Sequence, residues 1–346
     1  MKFRAASPFT LATLLTAALA TAAGAVHAEV SKLRVLTHSS FALPKPLLAK
    51  FEADAGIKLS IIKAGDAGEM LNKLILTRAR PIADVVYGID NTLQAKAASA
   101  DVLEPYTGAA LQRKALATLS ANLVPVNYGY VTLNYDKASF AKSGTALPQS
   151  LDDLAKPAYK GMLVVQNPAT SSPGNAFLLS TIAGMGEAAA FDWWARMRAN
   201  GLVVAKGWSE AYYTNFSQNG GANPLVVSYA TSPAAEVFYS KTKISEPPTG
   251  SLFLKGAVFR QVEGVALIKG GGQREAAGQF IEFLRSDAVQ QALQITLWML
   301  PVEPATARAD AMRHATEPTR FDNPTPDTMA AKGSDWVSRW TRVVLK

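Results

Sequence analysis

Short apolar runs alternate with helix-patterned segments along this chain, and this alternation most limits what the chain can fold into. Residues 33–37 (LRVLT) form the first apolar run, residues 46–55 place large apolar side chains at helical spacing, and residues 58–62 are apolar again. Residues 69–77 repeat the helical spacing before a third run at 83–88 (ADVVYG). Strands separated by helices at this pace predict βαβ units and a mainly parallel sheet.

A second region of the chain repeats the alternation after residue 160. Three apolar runs predict strands at residues 162–166, 202–205 and 225–228. Helical spacing separates these runs, and the last of the helices is expected over residues 209–219. The 346 residues are enough for two lobes with separate hydrophobic cores.

Two extended segments connect the regions. Residues 129–135 (GYVTLNY) and 264–268 (GVALI) predict strands that cross between the lobes. We therefore assign residues 29–127 and 264–346 to lobe 1, and residues 128–263 to lobe 2 with the hinge segments. An α/β chain of this kind is predicted to have mainly parallel central sheets, a hinge of crossing strands and a ligand cleft between the lobes.

Residues 1–28 have the pattern of a secretory signal peptide. Lys2 and Arg4 precede an apolar stretch at residues 11–23, and Val26 and Ala28 are the small residues that a signal peptidase needs. The stretch is shorter than the roughly 20 residues that span a bilayer, so we interpret it as a cleaved signal. The chain has no cysteine, which excludes disulfides and a lipid anchor. We expect an exported protein in the periplasm of a Gram-negative cell.

Charge and motifs exclude several classes of function. The formal charge of +8 is scattered, without a basic stripe interleaved with aromatic residues, so nucleic acid is not expected as a partner. The motifs of P-loop, dinucleotide-binding and zinc-protease proteins are absent, so we expect no cofactor, no metal and no enzymatic activity. A secreted serine hydrolase stays an alternative, because residues 207–211 (GWSEA) approach the G-x-S-x-G motif and His314 would complete a triad.

Polar and aromatic residues follow the apolar runs, where a cleft wall is expected. Taken singly, each segment is explained by helix capping or core packing without any ligand. Together the segments favour a flat cationic aromatic ligand with a polar or phosphorylated tail, since indole and phenol faces attract cations and helix N-termini attract anions. The candidate segments are residues 64–69, 166–174, 206–212 and 228–233, with Trp298 as a fifth candidate.

These segments resemble the thiamine-binding proteins of bacterial thiamine ABC importers, within the type II periplasmic (Venus-flytrap) binding-protein class. The resemblance extends from about residue 33 to residue 304 and is most specific at QNPATSSPG (166–174), KGWSEAY (206–212), LVVSYATSPA (225–234) and LWMLPV (297–302). It implies a monomeric two-lobed receptor that captures thiamine and its mono- and diphosphate. It also implies that an inner-membrane ABC permease is the partner and that no covalent chemistry occurs.

The resemblance implies ligand contacts for ten residues of these segments: Asp66, Ala67, Ser171, Ser172, Trp208, Tyr229, Ala230, Thr231, Ser232 and Trp298. His38 and Ala235 depart from the family, which carries aromatic residues there, so we expect a thinner stacking cage on that side. A receptor for ferric ion, a polyamine or a phosphonate stays an alternative. The adjacent Tyr212 and Tyr213 favour iron, but no acid or histidine cluster with ligand spacing accompanies them.

Overall fold

A computed structural model describes residues 31–119 and 122–346, and the predicted signal peptide lies outside these ranges. Within them, eleven strands form one sheet. The strands are β1 (Lys32–Thr37), β2 (Lys58–Lys63), β3 (Val85–Asp90), β4 (Leu103–Glu104), β5 (Val124–Asp136), β6 (Leu163–Gln166), β7 (Val203–Ala205), β8 (Leu225–Tyr229), β9 (Thr249–Leu252), β10 (Phe259–Ile268) and β11 (Leu300–Pro301).

Helices connect these strands and cover the sheet. The α-helices are α1 (Lys45–Ala55), α2 (Ala67–Leu76), α3 (Gln94–Ser99), α4 (Ala109–Gln112), α5 (Lys137–Ser143), α6 (Leu151–Leu154), α7 (Ser172–Met185), α8 (Glu187–Ala199), α9 (Trp208–Glu210), α10 (Ser232–Tyr239), α11 (Arg274–Leu284), α12 (Asp287–Thr296) and α13 (Pro326–Trp340). In the part of the chain that the structure describes, no helix is long and apolar enough to span a membrane.

The sheet consists of two parallel groups joined by crossing strands, in the order β2-β1-β3-β10-β5-β8-β6-β7. Strand β1 runs parallel to β2 and β3, and β6 runs parallel to β7 and β8. The long strands β5 and β10 lie antiparallel to each other between the groups. This confirms the predicted α/β architecture and its hinge of crossing strands, which are longer than the sequence indicated.

Each parallel group has its own hydrophobic core. Helices α1, α11 and α12 pack on the first group. Helices α7 and α8 pack on the second, where Trp193 and Trp194 are fully buried. The last helix, α13, also packs on this second core through Trp336 and Trp340. This differs from the predicted lobe 1 span of 264–346, and we propose that lobe 1 takes residues 264–302 while α13 belongs to lobe 2.

The predicted helix over residues 209–219 is interrupted. Helix α9 covers only Trp208–Glu210, a π-helical turn follows at Ala211–Asn215, and a 3₁₀ turn ends the segment at Ser217–Asn219. Single π-turns within helices are often found at functional sites. Three aromatic residues of this segment, Trp208, Tyr212 and Tyr213, line the cleft.

Candidate functional site

A cavity of about 530 Å³ lies where the ends of strands from both lobes meet. Side chains that follow β1 and β2 form one wall, together with the segment after α12. The segments after β7 and β8 form the opposite wall, and β10 contributes the floor. A concave site of this size between two lobes is suited to a small organic ligand.

Most of the predicted site residues line this cavity: Asp66, Ala67, Ser172, Trp208, Tyr229, Thr231, Ser232 and Trp298. The other two, Ser171 and Ala230, are buried beside it and are not among its lining residues. The backbone N–H of Ala230 donates to the carbonyl of Tyr130 at 2.9 Å. A direct ligand contact for Ser171 or Ala230 stays a prediction.

Asp66 both caps a helix and ties the lobes together. Its Oδ1 accepts a hydrogen bond from Ala67 N at 2.9 Å, and the backbone N–H of Asp66 donates to the Glu69 carboxylate at 3.3 Å, which completes a capping box at the start of α2. Its Oδ2 accepts the backbone N–H of Trp208, from the other lobe, at 3.0 Å. Capping and a cleft role are therefore compatible at this residue.

Two further contacts join the lobes beside Asp66. The Glu69 N–H donates to the carbonyl of Thr170 at 3.2 Å, and Lys206 Nζ lies 2.9 Å from Glu69 Oε1. Gly68 permits this approach, because a Cβ at residue 68 would lie 2.7 Å from the carbonyl oxygen of Thr170. The structure thus shows the lobes in contact along one edge of the cavity.

Trp208 has a fixed orientation within its own lobe. Its ring stacks on Tyr212 with centroids 5.0 Å apart and planes inclined by 18°. Its Nε1 donates to Ser228 Oγ at 2.8 Å, and Ser228 Oγ is 2.9 Å from Ser232 Oγ. Sequence reasoning did not include Tyr212 among the site residues, although it lies four residues after Trp208 in the diagnostic KGWSEAY segment.

Trp298 is held in a different way. Its φ of +57° is in the left-handed region, which is uncommon for a bulky side chain. Its carbonyl accepts the Thr231 hydroxyl at 2.6 Å, and its ring contacts Phe238 and Tyr239 edge-on at centroid distances of 5.4 and 5.6 Å. Contacts from the opposite lobe therefore help to keep Trp298 in place.

A buried ionic network forms the floor of the cavity. Glu263, on the crossing strand β10, lies 3.4 Å from His38 Nε2 through its Oε1 and accepts the Tyr87 hydroxyl at 2.8 Å through its Oε2. Burial alone would lower the pKa of His38, but the charge and proximity of Glu263 raise it above its ordinary value. Burial opposes ionisation of Glu263, yet His38 and Tyr87 hold the pKa of its carboxyl below its ordinary value.

Asp90 lies close to this network and Glu236 lies elsewhere in the cavity lining, and sequence reasoning missed both acids together with Glu263. Asp90 is fully buried at the end of β3, and burial raises its pKa to about 6, although the hydroxyls of Thr92 and Ser172 oppose that shift. Glu236 lines the cavity and accepts hydroxyl hydrogen bonds from Tyr212 and Thr249. An acid inside an apolar strand, as at Glu263, was the one signal in the sequence that pointed to this floor.

The class of the protein follows from this fold and cleft. Residues 80–332 match the family model described as bacterial extracellular solute-binding protein. The chain belongs to this family, and like its curated relatives it is periplasmic. Two parallel-sheet lobes that enclose a cleft at the crossing strands are the type II arrangement predicted from the sequence, which the structural comparison confirms.

Relatives of one kind cover nearly the whole chain. It is 34% identical to the thiamine-binding periplasmic protein of Escherichia coli K12 and 33% identical to that of Salmonella typhimurium LT2. Each alignment covers 91% of this chain and 94% of the relative. A solved structure described as a periplasmic thiamin binding protein superimposes with a TM-score of 0.80 at 31% identity, covering 91% of this chain and 96% of that one.

Proposed function

We propose that this protein captures thiamine in the periplasm and delivers it to an ABC importer of the inner membrane. The observation that carries the proposal is the composition of the cavity, in which indole rings from both lobes, Trp208 and Trp298, line one space with the carboxylates of Asp66 and Glu263. The relatives named for thiamine support the same ligand.

The chemistry of thiamine suits these walls. Its thiazolium ring carries a permanent positive charge, and the face of an indole or phenol ring attracts such a cation by about 0.5–2 kcal/mol. Its aminopyrimidine ring is flat, and its amino group donates hydrogen bonds that a carboxylate can accept. Asp66 and Glu263 supply acceptors and negative charge, and Trp208, Tyr229 and Trp298 supply aromatic faces.

Closure over the ligand follows from the position of the cavity between the lobes. A ligand that contacts both walls binds the closed form more strongly than the open form and therefore shifts the population towards closure. The contacts at Asp66 and Thr231, which already span the lobes, would then be reinforced. We propose that a closed monomer, with both lobes together, is what the permease recognises.

Ferric ion is a less suitable ligand for this cavity. Among the described residues, no group of three or more histidine and acidic side chains is positioned to hold a metal ion. Tyr212 donates its hydroxyl hydrogen to Glu236, and the Tyr213 ring packs edge-on against Trp208. Both tyrosine side chains thus make contacts within the wall of the cavity.

We also propose that the protein performs no covalent chemistry. Ser209 is exposed and is not among the residues that line the cavity. His314 Nε2 accepts a hydrogen bond from Arg313 Nε at 3.2 Å, in the 3₁₀ turn Asp310–His314. An ester-turnover assay with Ser209→Ala as control tests this, and turnover that disappears in the variant would contradict it.

Calorimetric titration of the purified protein tests the proposed ligand. We expect saturable binding of one thiamine per chain, with no heat of binding from spermidine or ferric citrate under the same conditions. Saturable binding of spermidine or ferric citrate without thiamine binding would contradict the proposal. A coloured iron complex after purification would be the quickest contrary sign.

A further inference from the structure

One buried charge pair, His38 with Glu263, lies in the lining of the cavity. His38 Nε2 is 3.4 Å from Glu263 Oε1, and both residues line the cavity although both are buried. His38 Nε2 has no hydrogen-bond partner, so the two groups are related by charge and not by a hydrogen bond. Among the described lining residues there is no lysine and no arginine. The His38 imidazole is therefore the one group of that lining that can carry a positive charge.

The backbone around the imidazole holds it in this position. Gly88 of β3 leaves room for the ring, because a Cβ at residue 88 would lie 2.3 Å from His38 Cδ2. On the same strand the ring of Tyr87 contacts the imidazole, with centroids 5.6 Å apart. The imidazole is thus confined to the floor of the cavity, and what can change there is its protonation.

A cationic ligand and a protonated His38 compete for the same carboxylate. Burial opposes ionisation of Glu263, but His38, Tyr87 and Asn127 keep the pKa of its carboxyl below the ordinary value, so the acid is charged at neutral pH. The imidazolium can lose its proton, whereas a thiazolium ring cannot lose its charge. Two like charges in a partly desolvated cavity repel more strongly than they do in water. The charge that gives way when the ligand enters is therefore that of His38.

We propose that capture of thiamine expels the proton of His38 into the solvent, so that the thiazolium ring replaces the imidazolium as the counter-ion of Glu263. This inference rests on the proposed thiamine function. Because the ligand binds the deprotonated cavity more strongly, its affinity rises with pH over the range in which His38 of the empty cavity loses its proton. Above that range the affinity is constant.

The acids that face His38 decide where this range lies. Burial alone would lower the pKa of His38, but Glu263, and after it Asp66 and Asp90, raise it above the ordinary value. A protonated imidazole in the empty cavity at neutral pH follows from this arrangement, and histidine is the side chain best suited to exchange a proton there.

The other groups around the pair do not produce this change between pH 6.5 and pH 8.5. Burial keeps the pKa of Tyr87 and Tyr229 well above the ordinary value, so both phenols stay protonated. Asp90, whose pKa burial raises to about 6, is already mostly ionised at pH 6.5. A proton released on binding in this range is therefore assigned to His38.

Calorimetric titration in two buffers with different heats of ionisation counts the protons that binding releases. At pH 7 we expect the wild type to release a large fraction of one proton per thiamine bound, and its affinity to rise about threefold or more from pH 6.5 to pH 8.5. Saturable binding without proton release would overturn the coupling and leave the thiamine function intact. Absence of thiamine binding at every pH would overturn the proposed function, and the coupling with it.

The deaza analogue of thiamine separates the charge of the ligand from its shape. A neutral thiophene replaces the thiazolium ring in this analogue, so we expect it to bind without proton release and with the same affinity at pH 6.5 and pH 8.5. Proton release as large as that of thiamine would show that the shape of the ring expels the proton, and the competition between charges would fail.

The variant His38→Gln removes the competing charge. It should bind thiamine about threefold more tightly than the wild type at pH 6.5, and it should release no proton. His314→Gln makes the same change at a histidine outside the cavity lining and should behave as the wild type does. Damage to the cavity would weaken binding, so a gain in affinity separates this role from a structural one. Weaker binding at pH 6.5, or proton release that persists in His38→Gln, would overturn the proposal, and the two wild-type titrations decide it if the variant does not fold.

Discussion

The two walls of the cleft are built on different principles. The wall from lobe 2 is aromatic and held from within, since Trp208 stacks on Tyr212 and donates to Ser228 of the same lobe. The wall from lobe 1 is charged, and its main contacts reach across the cleft, from Asp66 to Trp208 N and from the Trp298 carbonyl to Thr231. This difference indicates that lobe 2 offers a preformed platform, and that the wall of lobe 1 is completed when the lobes close.

The largest expected effect is on stability, and it comes from Asp90, the buried acid of lobe 1. Because burial raises the pKa of Asp90 from 3.8 to about 6, the folded state keeps its proton up to a higher pH than the unfolded state does. The stability that this proton gives is complete below pH 4 and is lost as the pH rises to 6. The loss amounts to about 3 kcal/mol at most. The stability of the variant Asp90→Asn should not fall in this way, because an asparagine amide does not titrate between pH 4 and pH 6.

Urea denaturation of the wild type and of Asp90→Asn between pH 4 and pH 7 measures this loss of stability. The free energy of unfolding of the variant, minus that of the wild type, should increase as the pH rises to about 6 and then stay constant. Parallel curves over the whole range would show that burial does not raise the pKa of Asp90.

The preformed wall is tested by Trp208→Ala. Loss of the stacked indole should weaken thiamine binding at least thirtyfold, about 2 kcal/mol, because no closure of the lobes can replace the ring. Calorimetric titration measures the affinity, and Trp208→Phe is the matched control that keeps an aromatic face. An alanine variant that binds within twofold of the wild type would contradict the platform.

The wall completed by closure is tested by Trp298→Ala. We expect about tenfold weaker binding, about 1.4 kcal/mol, with the effect mostly in the dissociation rate, since this ring covers the ligand after it has reached the platform. Stopped-flow fluorescence measures the two rates. A loss larger than that of Trp208→Ala would reverse the comparison of the walls.

A glycine at position 298 separates the effect of losing the ring from the effect of the left-handed backbone conformation. Trp298→Gly removes the same side chain but accepts the φ of +57° without a Cβ clash. The glycine variant should therefore be more stable than the alanine variant by about 1 kcal/mol at similar affinity. If the alanine variant were the more stable one, the left-handed backbone would not be a source of strain.

The smallest effect on thiamine affinity is expected from Lys206, at the exposed edge of the cavity. Lys206→Gln removes the pair with Glu69, but the lysine side chain is 71% exposed, and exposed pairs contribute little. Thiamine affinity should change less than about threefold, and the change should vanish in 0.5 M salt because exposed charges are screened. A tenfold loss would mean that this rim contact, and not the walls, holds the lobes together.

Local patterns predicted the parts of the fold that local rules govern. The strands β1, β2 and β3 and the helices between them follow hydrophobic periodicity, which is set by residues close in sequence. The packing of α13 on lobe 2 was not predictable in this way, because Trp336 and Trp340 indicate a buried face but not the core that buries it. Crossing strand β5 was also underestimated, since Pro125 and Asn127 obscure its apolar pattern.

The candidate site shows the same division. Asp66 and Trp208 were found because they follow strands, where parallel sheets place ligands. Glu263 was missed because it lies within a strand, and its role depends on His38, which is 225 residues away in the sequence. Tyr212 lies in the cavity lining and stacks on Trp208, four residues earlier, but no strand end marks it in the sequence.

A crystal structure of the protein grown with thiamine would test the central claim most directly. We expect one vitamin molecule in the cavity between the lobes, with its rings against Trp208 and Trp298, its amino group or cationic ring near Asp66 or Glu263, and a free hydroxyethyl tail. An unoccupied cleft at saturating thiamine, or a vitamin bound away from both tryptophans, would contradict it.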